Sequence, residues 1–304
     1  MNLKQSIRNL LNKLPHVRGL YKENLRWKHN SRVPPGHYYS PIVSLDQVKL
    51  KEDVIWKPDQ TSTVNNIELN PEKQKVLLGN LECFYSALPF TSEAIKENRY
   101  FLKNTFYSYT DGIVLYAMIR HFKPKMIIEI GSGFSSALMM DVNDIFFNSE
   151  IALKFIEPYP TRLKSLMGFR ENKNAVLIEE NAQDIDLNIF KKLQKNDILF
   201  IDSSHIVKTG SDVNYILFEI LPKLNEGVLI HFHDIFYPFE YPKKWVVNGR
   251  NWNESYFLKA FLMYNNNFEI ILFSDYMHKF HKESFKKMPL TYENTGGNLW
   301  LVKK

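Results

Sequence analysis

The chain has 304 residues and a formal net charge of +6 at pH 7, with 44% hydrophobic and 24% charged residues. This composition is ordinary for a globular protein and excludes a disordered or fibrous chain. The length allows one large domain with an extension. Residues 1–33 contain eight Lys or Arg and one Glu, so the remainder is close to neutral. A neutral body with a basic leader argues against nucleic acid as a partner.

A single cysteine, Cys83, rules out an internal disulfide and fits a reducing compartment. No apolar run approaches the roughly 20 residues that a transmembrane helix needs. The N-terminus also lacks the apolar core and small-residue cleavage site of a secretory signal. We therefore expect no transmembrane segment and a cytoplasmic location.

The N-terminal third reads as an extension. Residues 3–14 predict a basic amphipathic helix that ends at Pro15. Its apolar stripe is expected to pack on the protein's own body or on another subunit, with an anionic membrane surface as the alternative. Residues 32–66 predict an extended aromatic arm with one short strand at 54–56, and 71–88 predict a second helix. If the arm crosses to a second copy, the protein is a homo-oligomer. We place the extension at 1–105 and the main domain at 106–304.

The main domain alternates helices and strands. A helix beginning at Tyr109 is expected to end before Pro124. The predicted strands are 126–130, 151–157, 174–179, 197–202, 227–233, 268–273 and 298–302. The predicted helices between them are 161–167, 185–193, 212–224 and 252–264. Repeated βα units with apolar strands predict an α/β fold: a Rossmann-like, seven-stranded, mostly parallel sheet with helices on both faces.

A glycine turn follows the first predicted strand in the run MIIEIGSGFSSALMMD, which begins at Met126. Gly131 and Gly133 let the backbone turn sharply and approach a ligand closely. Ser135 or Ser136 is expected to cap the helix that follows. The first amides of that helix are unpaired donors at the positive end of its dipole. The stretch therefore predicts a nucleotide-like ligand lying on bare backbone, against the alternative of a turn that binds nothing.

The residues around this turn favour one cofactor class over another. Dinucleotide enzymes use GxGxxG, whose third glycine is Ser136 here. Glu129 lies inside the strand, ahead of the glycines, where an acid can accept from a cationic amine. The run from Glu129 to Gly133 thus resembles the first motif of the class I S-adenosylmethionine (SAM) methyltransferases. The resemblance implies cofactor contacts by Glu129, Gly131, Ser132, Gly133, Ser135 and Ser136.

Two further segments extend the predicted cofactor site. Glu157 ends the second strand, 24 residues after Gly133, where an acid commonly accepts from the ribose hydroxyls. By position, the resemblance implies that Ala182 and Gln183 lie nearest the adenine. Asp202, at the end of the fourth strand, completes the expected cofactor contacts.

Polar residues collect at the ends of the fourth and fifth strands. ILFIDSSH carries Asp202 and His205, and GVLIHFHDIF carries His233 and Asp234. In an open α/β sheet, ligands bind outside the carboxyl ends of the strands. The positions resemble those that hold a divalent cation in metal-dependent O-methyltransferases of the catechol and macrolide-sugar types. The resemblance implies Asp202, His233 and Asp234 as metal ligands, although a histidine suits Zn, Fe, Ni or Cu better than Mg²⁺.

The run from about 110 to 300 resembles a bacterial family of class I methyltransferases whose acceptor is not assigned. We expect methyl transfer to a hydroxyl oxygen of a small molecule or sugar, deprotonated by a strand-end histidine, a divalent metal, or both. His205 is the first choice of base and His233 the second. His231 is expected to point to the opposite face. Aromatic residues 236–245 predict either a stiff lid over the acceptor or a loop packed on the arm.

Two other functions remain open at this point. His205, His233 and Asp234 would also form the two-histidine, one-carboxylate set of a metal oxygenase, although that set does not normally sit on a βα scaffold. The chain would alternatively be a non-catalytic scaffold or regulator that kept the SAM fold.

Overall fold

The computed structural model describes residues 6, 7, 10, 11, 14–167 and 174–304. Most of the predicted helix 3–14 lies outside these residues. The chain divides into two compact units, one of Met1–Asp59 with Lys243–Asn251 and one of Gln60–Pro242 with Trp252–Lys304. The domain bounds given above stay a prediction.

The larger unit is built on a sheet that has seven strands in the described residues. These are β1 Met126–Ile130, β2 Ala152–Ile156, β3 Ala175–Ile178, β4 Ile198–Ile201, β5 Leu229–Phe232, β6 Phe268–Phe273 and β7 Leu299–Lys303. Their order is β3-β2-β1-β4-β5-β7-β6, and β7 runs antiparallel to both of its neighbours. The predicted Rossmann-like, mostly parallel sheet is confirmed.

Helices cover this sheet. The α-helices of the larger unit are Pro71–Leu81, Tyr109–Phe122, Phe134–Phe146, Thr161–Met167, Asp212–Tyr215, Glu254–Leu262 and Ser274–Phe280. Shorter helical turns are Glu82–Ala87, Ala182–Asp184, Phe190–Lys192, Ile216–Ile220, Leu221–Lys223, Lys282–Phe285 and Pro289–Glu293. Residues 110–119 are all buried in the described structure, and the helix that carries them packs against the helices Pro71–Leu81 and Phe134–Phe146.

The site is positioned by the order of the central strands. Strands β4 and β5 are buried throughout, as expected of parallel strands covered on both faces. β1 lies between β2 and β4. The chain goes from β1 to β2 and β3 on one side of β1, and then returns to place β4 and β5 on its other side. This is the topological switch point, at which a crevice opens beyond the carboxyl ends of the strands.

Two sequence expectations about elements are wrong. Val54 and Ile55 belong to the helix Glu52–Ile55, not to a strand; the acids in its first turn suit a helix N-terminus. The predicted helix 185–193 is absent from the described residues except for a single turn, Phe190–Lys192. There the carboxylate of Asp186 accepts from the backbone N–H of Asn188, a local bond that competes with helix formation.

The smaller unit contains helices Pro15–Asn30, Leu45–Leu50, Glu52–Ile55 and Lys243–Val247 in its described residues. Pro15 opens a helix at a position where its missing N–H costs nothing. Leu20, Leu25 and Trp27 of that helix are each about half exposed. Among the helices of the described residues, none combines the length and the apolarity needed to cross a bilayer.

Candidate functional site

The glycine turn after β1 is packed against the end of β4. Gly131 has φ +81°, a conformation that L side chains rarely adopt, and a Cβ there would lie 1.8 Å from the carbonyl oxygen of Asp202. The backbone N–H of Gly131 donates to Ile156 O on β2 at 3.0 Å, and that of Asp202 donates to Ile130 O at 2.9 Å. Glycine is thus required at 131 because two chain segments meet there without room for a side chain.

Glu129 lies fully buried beneath this turn. Ser135 Oγ donates to Glu129 Oε1 at 2.6 Å, and Ser136 Oγ donates to the other carboxylate oxygen. Neither serine is the N-cap residue, because the helix begins at Phe134 with Gly133 preceding it. The expected cap is confirmed for Ser136 in another form, since its Oγ accepts from the backbone N–H of Gly133 at 2.9 Å. Burial raises the pKa of Glu129 to about 8, although the serine hydrogen bonds oppose the rise. The structure thus engages both of its oxygens within the protein.

Glu157 is held rigidly at the end of β2. Its Oε2 accepts from the backbone N–H of Ser132 in the glycine turn at 3.0 Å, and its Oε1 accepts from that of Tyr159 at 2.8 Å. The two bonds fix the carboxylate plane beside the turn. Each oxygen retains a lone pair that can accept from a ligand.

A cavity of about 450 Å³ opens beside Glu157 and the turn. Its lining includes Gly131, Glu157, Ala182, Gln183 and Asp202. Five residues predicted to contact the cofactor thus share one cavity, at the size of small-ligand sites. Glu129, Ser132, Gly133, Ser135 and Ser136 are not in its lining and lie around or beneath the turn.

Other features of this cavity were missed from the sequence. Tyr159, Lys208, Ser204 and Asp212 also line it. Ser204 Oγ donates a hydrogen bond to Asp212 Oδ1 at 2.5 Å. Tyr159 could have been predicted from the sequence, because an aromatic residue two positions after Glu157 offers a surface on which an adenine ring can stack. Around the cavity, three buried side-chain atoms have no hydrogen-bond partner in the described chain: Ser132 Oγ, Gln183 Oε1 and Ser203 Oγ.

The polar strand-end residues form a ring. Asp202 Oδ1 lies 3.3 Å from His205 Nε2 and 3.3 Å from His233 Nδ1. Asp234 closes the ring, with Oδ2 3.7 Å from His205 Nε2 and Oδ1 3.7 Å from His233 Nδ1. The sheet creates this ring because Asp202 and His233 directly follow neighbouring parallel strands. The side chain of Asp202 is 31% exposed and is the most accessible of the four.

Two further carboxylates lie behind the imidazoles, and neither was predicted. Glu254 Oε2 lies 2.8 Å from His205 Nδ1, and Asp111 Oδ1 lies 3.8 Å from His233 Nε2. Glu254 is 1% exposed. The backbone N–H groups of Asn253 and Glu254 both donate to the carbonyl of His205. The start of one helix is therefore tied to His205 by backbone and by side chain.

Charge within the ring is balanced by these contacts. Burial would lower the pKa of His205, but hydrogen bonds with Asp202 and Glu254 raise it to about 10. Burial likewise opposes the charged form of His233, yet the carboxylates of Asp234 and Asp202 raise its pKa. The neighbouring carboxylates thus favour the protonated form of both imidazoles. A histidine that acts as a base must first give up this proton.

The expectation for His231 is wrong. Residues two apart share one face of a strand, and the His231 and His233 rings both contact Tyr107, with centroids 6.3 Å and 5.0 Å from it. His231 is completely buried beside Trp300, and burial lowers its pKa well below the ordinary value. It lies deeper than the ring of strand-end residues and does not belong to it.

The aromatic segment after Asp234 does not form a lid. Tyr237, Phe239 and Tyr241 are at most 2% exposed. Tyr237 packs against Phe273 and Tyr276 and donates its hydroxyl hydrogen to Thr61 O within the larger unit. Alternate side chains of this segment therefore fill the core.

The strand-end ring has the donor set and the spacing of a cation site. One ligand atom each from Asp202, His233 and Asp234 lies within 4.8 Å of the others. His233 Nδ1 is buried and faces this ring, 3.3 Å from Asp202 Oδ1, without a hydrogen bond of good geometry in the described chain. Imidazole and carboxylate donors together suit a divalent cation. The predicted metal ligands therefore fit such an ion.

Known proteins resemble parts of this chain. Residues 128–235 match the family described as "Methyltransferase domain". An uncharacterised protein of Archaeoglobus fulgidus is 38% identical over 170 residues, which cover 54% of this chain and 75% of that protein.

Two of the solved structures that are similar to this chain are methyltransferases. The SAH-bound methyltransferase PaMTH1 of Podospora anserina is 15% identical, with 90% of this chain and 99% of that chain covered and a TM-score of 0.43. The precorrin-6y C5,15-methyltransferase of Geobacter metallireducens is 15% identical, with 49% and 74% covered and a TM-score of 0.33.

Proposed function

Because this chain belongs to the class I SAM-dependent methyltransferases, we propose that it methylates a hydroxyl oxygen of a small molecule or sugar. The proposal has three parts: where SAM lies, how the hydroxyl loses its proton, and which acceptor is used. Methyl transfer as the type of reaction follows from the family membership. The described geometry supports the remaining parts.

We assign SAM to the cavity beside the glycine turn. The adenosine would lie between the Glu157 carboxylate and the segment of Ala182 and Gln183, which line that cavity together. Glu157 accepts from the ribose hydroxyls in this arrangement, and its orientation is already fixed by the amides of Ser132 and Tyr159. Gln183 Oε1 lines the cavity without a hydrogen-bond partner in the described chain and supplies a further polar contact.

The observation that carries the oxygen proposal is the position of Asp202. It lines the cofactor cavity and also belongs to the strand-end ring with His205, His233 and Asp234. A hydroxyl at this ring would therefore lie next to a methyl group held in the cavity. In-line attack needs this adjacency, because positioning supplies a large part of the rate enhancement.

The reaction is a substitution at carbon. The acceptor oxygen forms a bond to the methyl carbon while the sulfur–methyl bond breaks, and the electron pair of that bond returns to sulfur to give S-adenosylhomocysteine (SAH). The hydroxyl proton passes to a base, and a weakly nucleophilic alcohol needs this step. His205 Nε2 is the first candidate and His233 the second. A divalent cation held by Asp202, His233 and Asp234 would instead lower the pKa of the hydroxyl.

An aromatic surface lies beside this ring. The Trp252 ring centroid is 4.2 Å from that of His205, inside the larger unit. Phenols and sugars both pack on an indole face, which favours a cyclic hydroxyl acceptor. The alternative function is a non-catalytic SAM-fold scaffold, which would bind the cofactor without turning it over.

The test is methyl transfer from SAM that carries an isotopically labelled methyl group. We would present a panel of phenols, catechols and deoxysugar glycosides and detect labelled ether together with an equal amount of SAH. His205→Ala should lower transfer by about 10²–10⁴-fold, the range of general acid–base contributions. Labelled amine or thioether in place of ether would contradict transfer to oxygen. SAH binding with no transfer to any acceptor would favour the scaffold.

A further inference from the structure

We propose that the helix Pro15–Asn30 docks the protein on the surface of an anionic lipid bilayer. The helix would lie in the plane of that surface, with its apolar side at the boundary between headgroups and acyl chains. This docking is separate from methyl transfer, because the helix contributes no residue to the cofactor cavity or to the strand-end ring.

The large apolar side chains of the helix are not covered by the protein. None of the residues of this helix is buried in the described structure. Leu20, Leu25 and Trp27 are 47–54% exposed. Four more large apolar side chains just ahead of the helix are 43–67% exposed: Ile7, Leu10, Leu11 and Leu14. Single exposed apolar residues are ordinary, but a group of this size on one short segment marks an interaction surface.

The apolar residues of the helix share one side. Val17, Tyr21 and Leu25 are spaced four residues apart, and Leu20 and Trp27 are seven residues apart. An α-helix has about 3.6 residues per turn, so these spacings bring the five side chains to one half of its circumference. Tyrosine and tryptophan favour the bilayer boundary, because each has an apolar ring and one polar N–H or O–H.

Basic residues form a row along one edge of this apolar side. Arg18, Lys22 and Arg26 are spaced four residues apart. None of the three forms an ion pair with an acid in the described part of the chain. Glu23 is the single acid in residues 1–33, against eight Lys or Arg. Each Lys or Arg near an anionic lipid surface strengthens binding about fivefold, so the row favours such a surface.

The same charges argue against other occupants of the apolar side. Two copies packed through this side would bring two rows of Arg and Lys together, and like charges at an interface repel. Nucleic acid would neutralise the row but leave Leu20, Leu25 and Trp27 in water. An anionic bilayer pairs with the row and also covers the apolar side. Lys28, which lies among the apolar residues, has a long stem that lets its ammonium group reach the headgroups.

The test is co-flotation of the full-length protein with vesicles of phosphatidylcholine alone, and of equal parts of phosphatidylcholine and phosphatidylglycerol. We expect binding to the anionic vesicles that is about 100-fold tighter than to the neutral ones and weakens as salt is added. Arg18→Gln, Lys22→Gln and Arg26→Gln together should weaken that binding by about 100-fold, since each charge contributes about fivefold. Leu20→Ser with Leu25→Ser should weaken it by about 10-fold at unchanged charge.

Two sets of substitutions are the matched controls. Lys191→Gln, Lys192→Gln and Lys195→Gln together remove three exposed lysines of the larger unit. Leu50→Ser with Val54→Ser removes two apolar side chains of the smaller unit that are more exposed than Leu20 and Leu25. Both control proteins should bind the anionic vesicles like the parent protein.

Three results would overturn the proposal: equal binding to neutral and anionic vesicles, no binding to either, or parent affinity in either helix variant with a parent-like circular dichroism spectrum. A dimer in light scattering that Leu20→Ser with Leu25→Ser dissociates, without vesicle binding, would assign the apolar side to a second copy instead. SAH calorimetry on the same variants should match the parent. A failure of the membrane proposal is therefore distinguishable from a failure of the proposed function.

Discussion

Gly131→Ala is expected to destabilise the protein by more than about 3 kcal/mol and to abolish SAH binding. The new Cβ would lie 1.8 Å from the carbonyl oxygen of Asp202, so one of the two chain segments must move. The moving segments are the glycine turn and the end of β4, which both line the proposed cofactor cavity. The measurements are chemical denaturation and SAH calorimetry.

Gly210→Ala is the matched control. Gly210 also has a positive φ, +72°, and lines the same cavity, but a Cβ there meets no atom within 4 Å. Gly210→Ala should therefore lower the free energy of unfolding by only about 1 kcal/mol, the cost of placing an alanine in the left-handed conformation. The difference between the two variants isolates the clash at Gly131. Equal destabilisation of both would contradict the close packing of the glycine turn against β4.

Glu157→Ala is expected to weaken SAH binding by about 100-fold. Hydrogen bonds to a charged acceptor contribute about 1.5–3 kcal/mol each, and the two ribose hydroxyls would donate to this carboxylate. The substitution also frees the amides of Ser132 and Tyr159, which Glu157 now accepts from. Calorimetry measures the affinity, and thermal unfolding separates the loss of ligand contacts from a loss of stability.

Glu179→Ala provides the comparison for that variant. Glu179 is an exposed acid that pairs with Lys164 at 2.6 Å and does not line the cavity. Its removal should leave SAH affinity within about twofold, since exposed ion pairs contribute little. A Glu157→Ala protein that keeps affinity within threefold of the parent would contradict the ribose assignment.

The sheet could be predicted from the sequence because its strands are continuous apolar runs between turn residues. β1 and β6 have the predicted bounds, and the other five strands agree within two residues at either end. The prediction failed where polar side chains compete locally with the helix, as at Asp186, and where a short apolar run such as 54–56 fits either structure.

The candidate site was predictable only where residues follow strands. Asp202, His233 and Asp234 meet because parallel strands end at a common edge, which the alternating pattern already indicates. Glu254 lies 49 residues from His205 in the chain, and Asp111 lies in a helix ahead of the first strand. These two acids contact the imidazoles only because their helices pack against the ends of the strands. The hydrophobic periodicity of the sequence does not predict how helices pack. The sequence pattern predicts a serine cap but not that both serines also donate to Glu129, which lies behind the turn.

The most direct test of the cofactor site is calorimetric titration of the full-length protein with SAH, before and after treatment with a chelator. We expect one SAH per chain with micromolar affinity in both states, because the cavity beside Glu157 holds the adenosine through protein groups alone. Absence of binding in both states would contradict the assignment of that cavity to SAM and leave the scaffold function ahead.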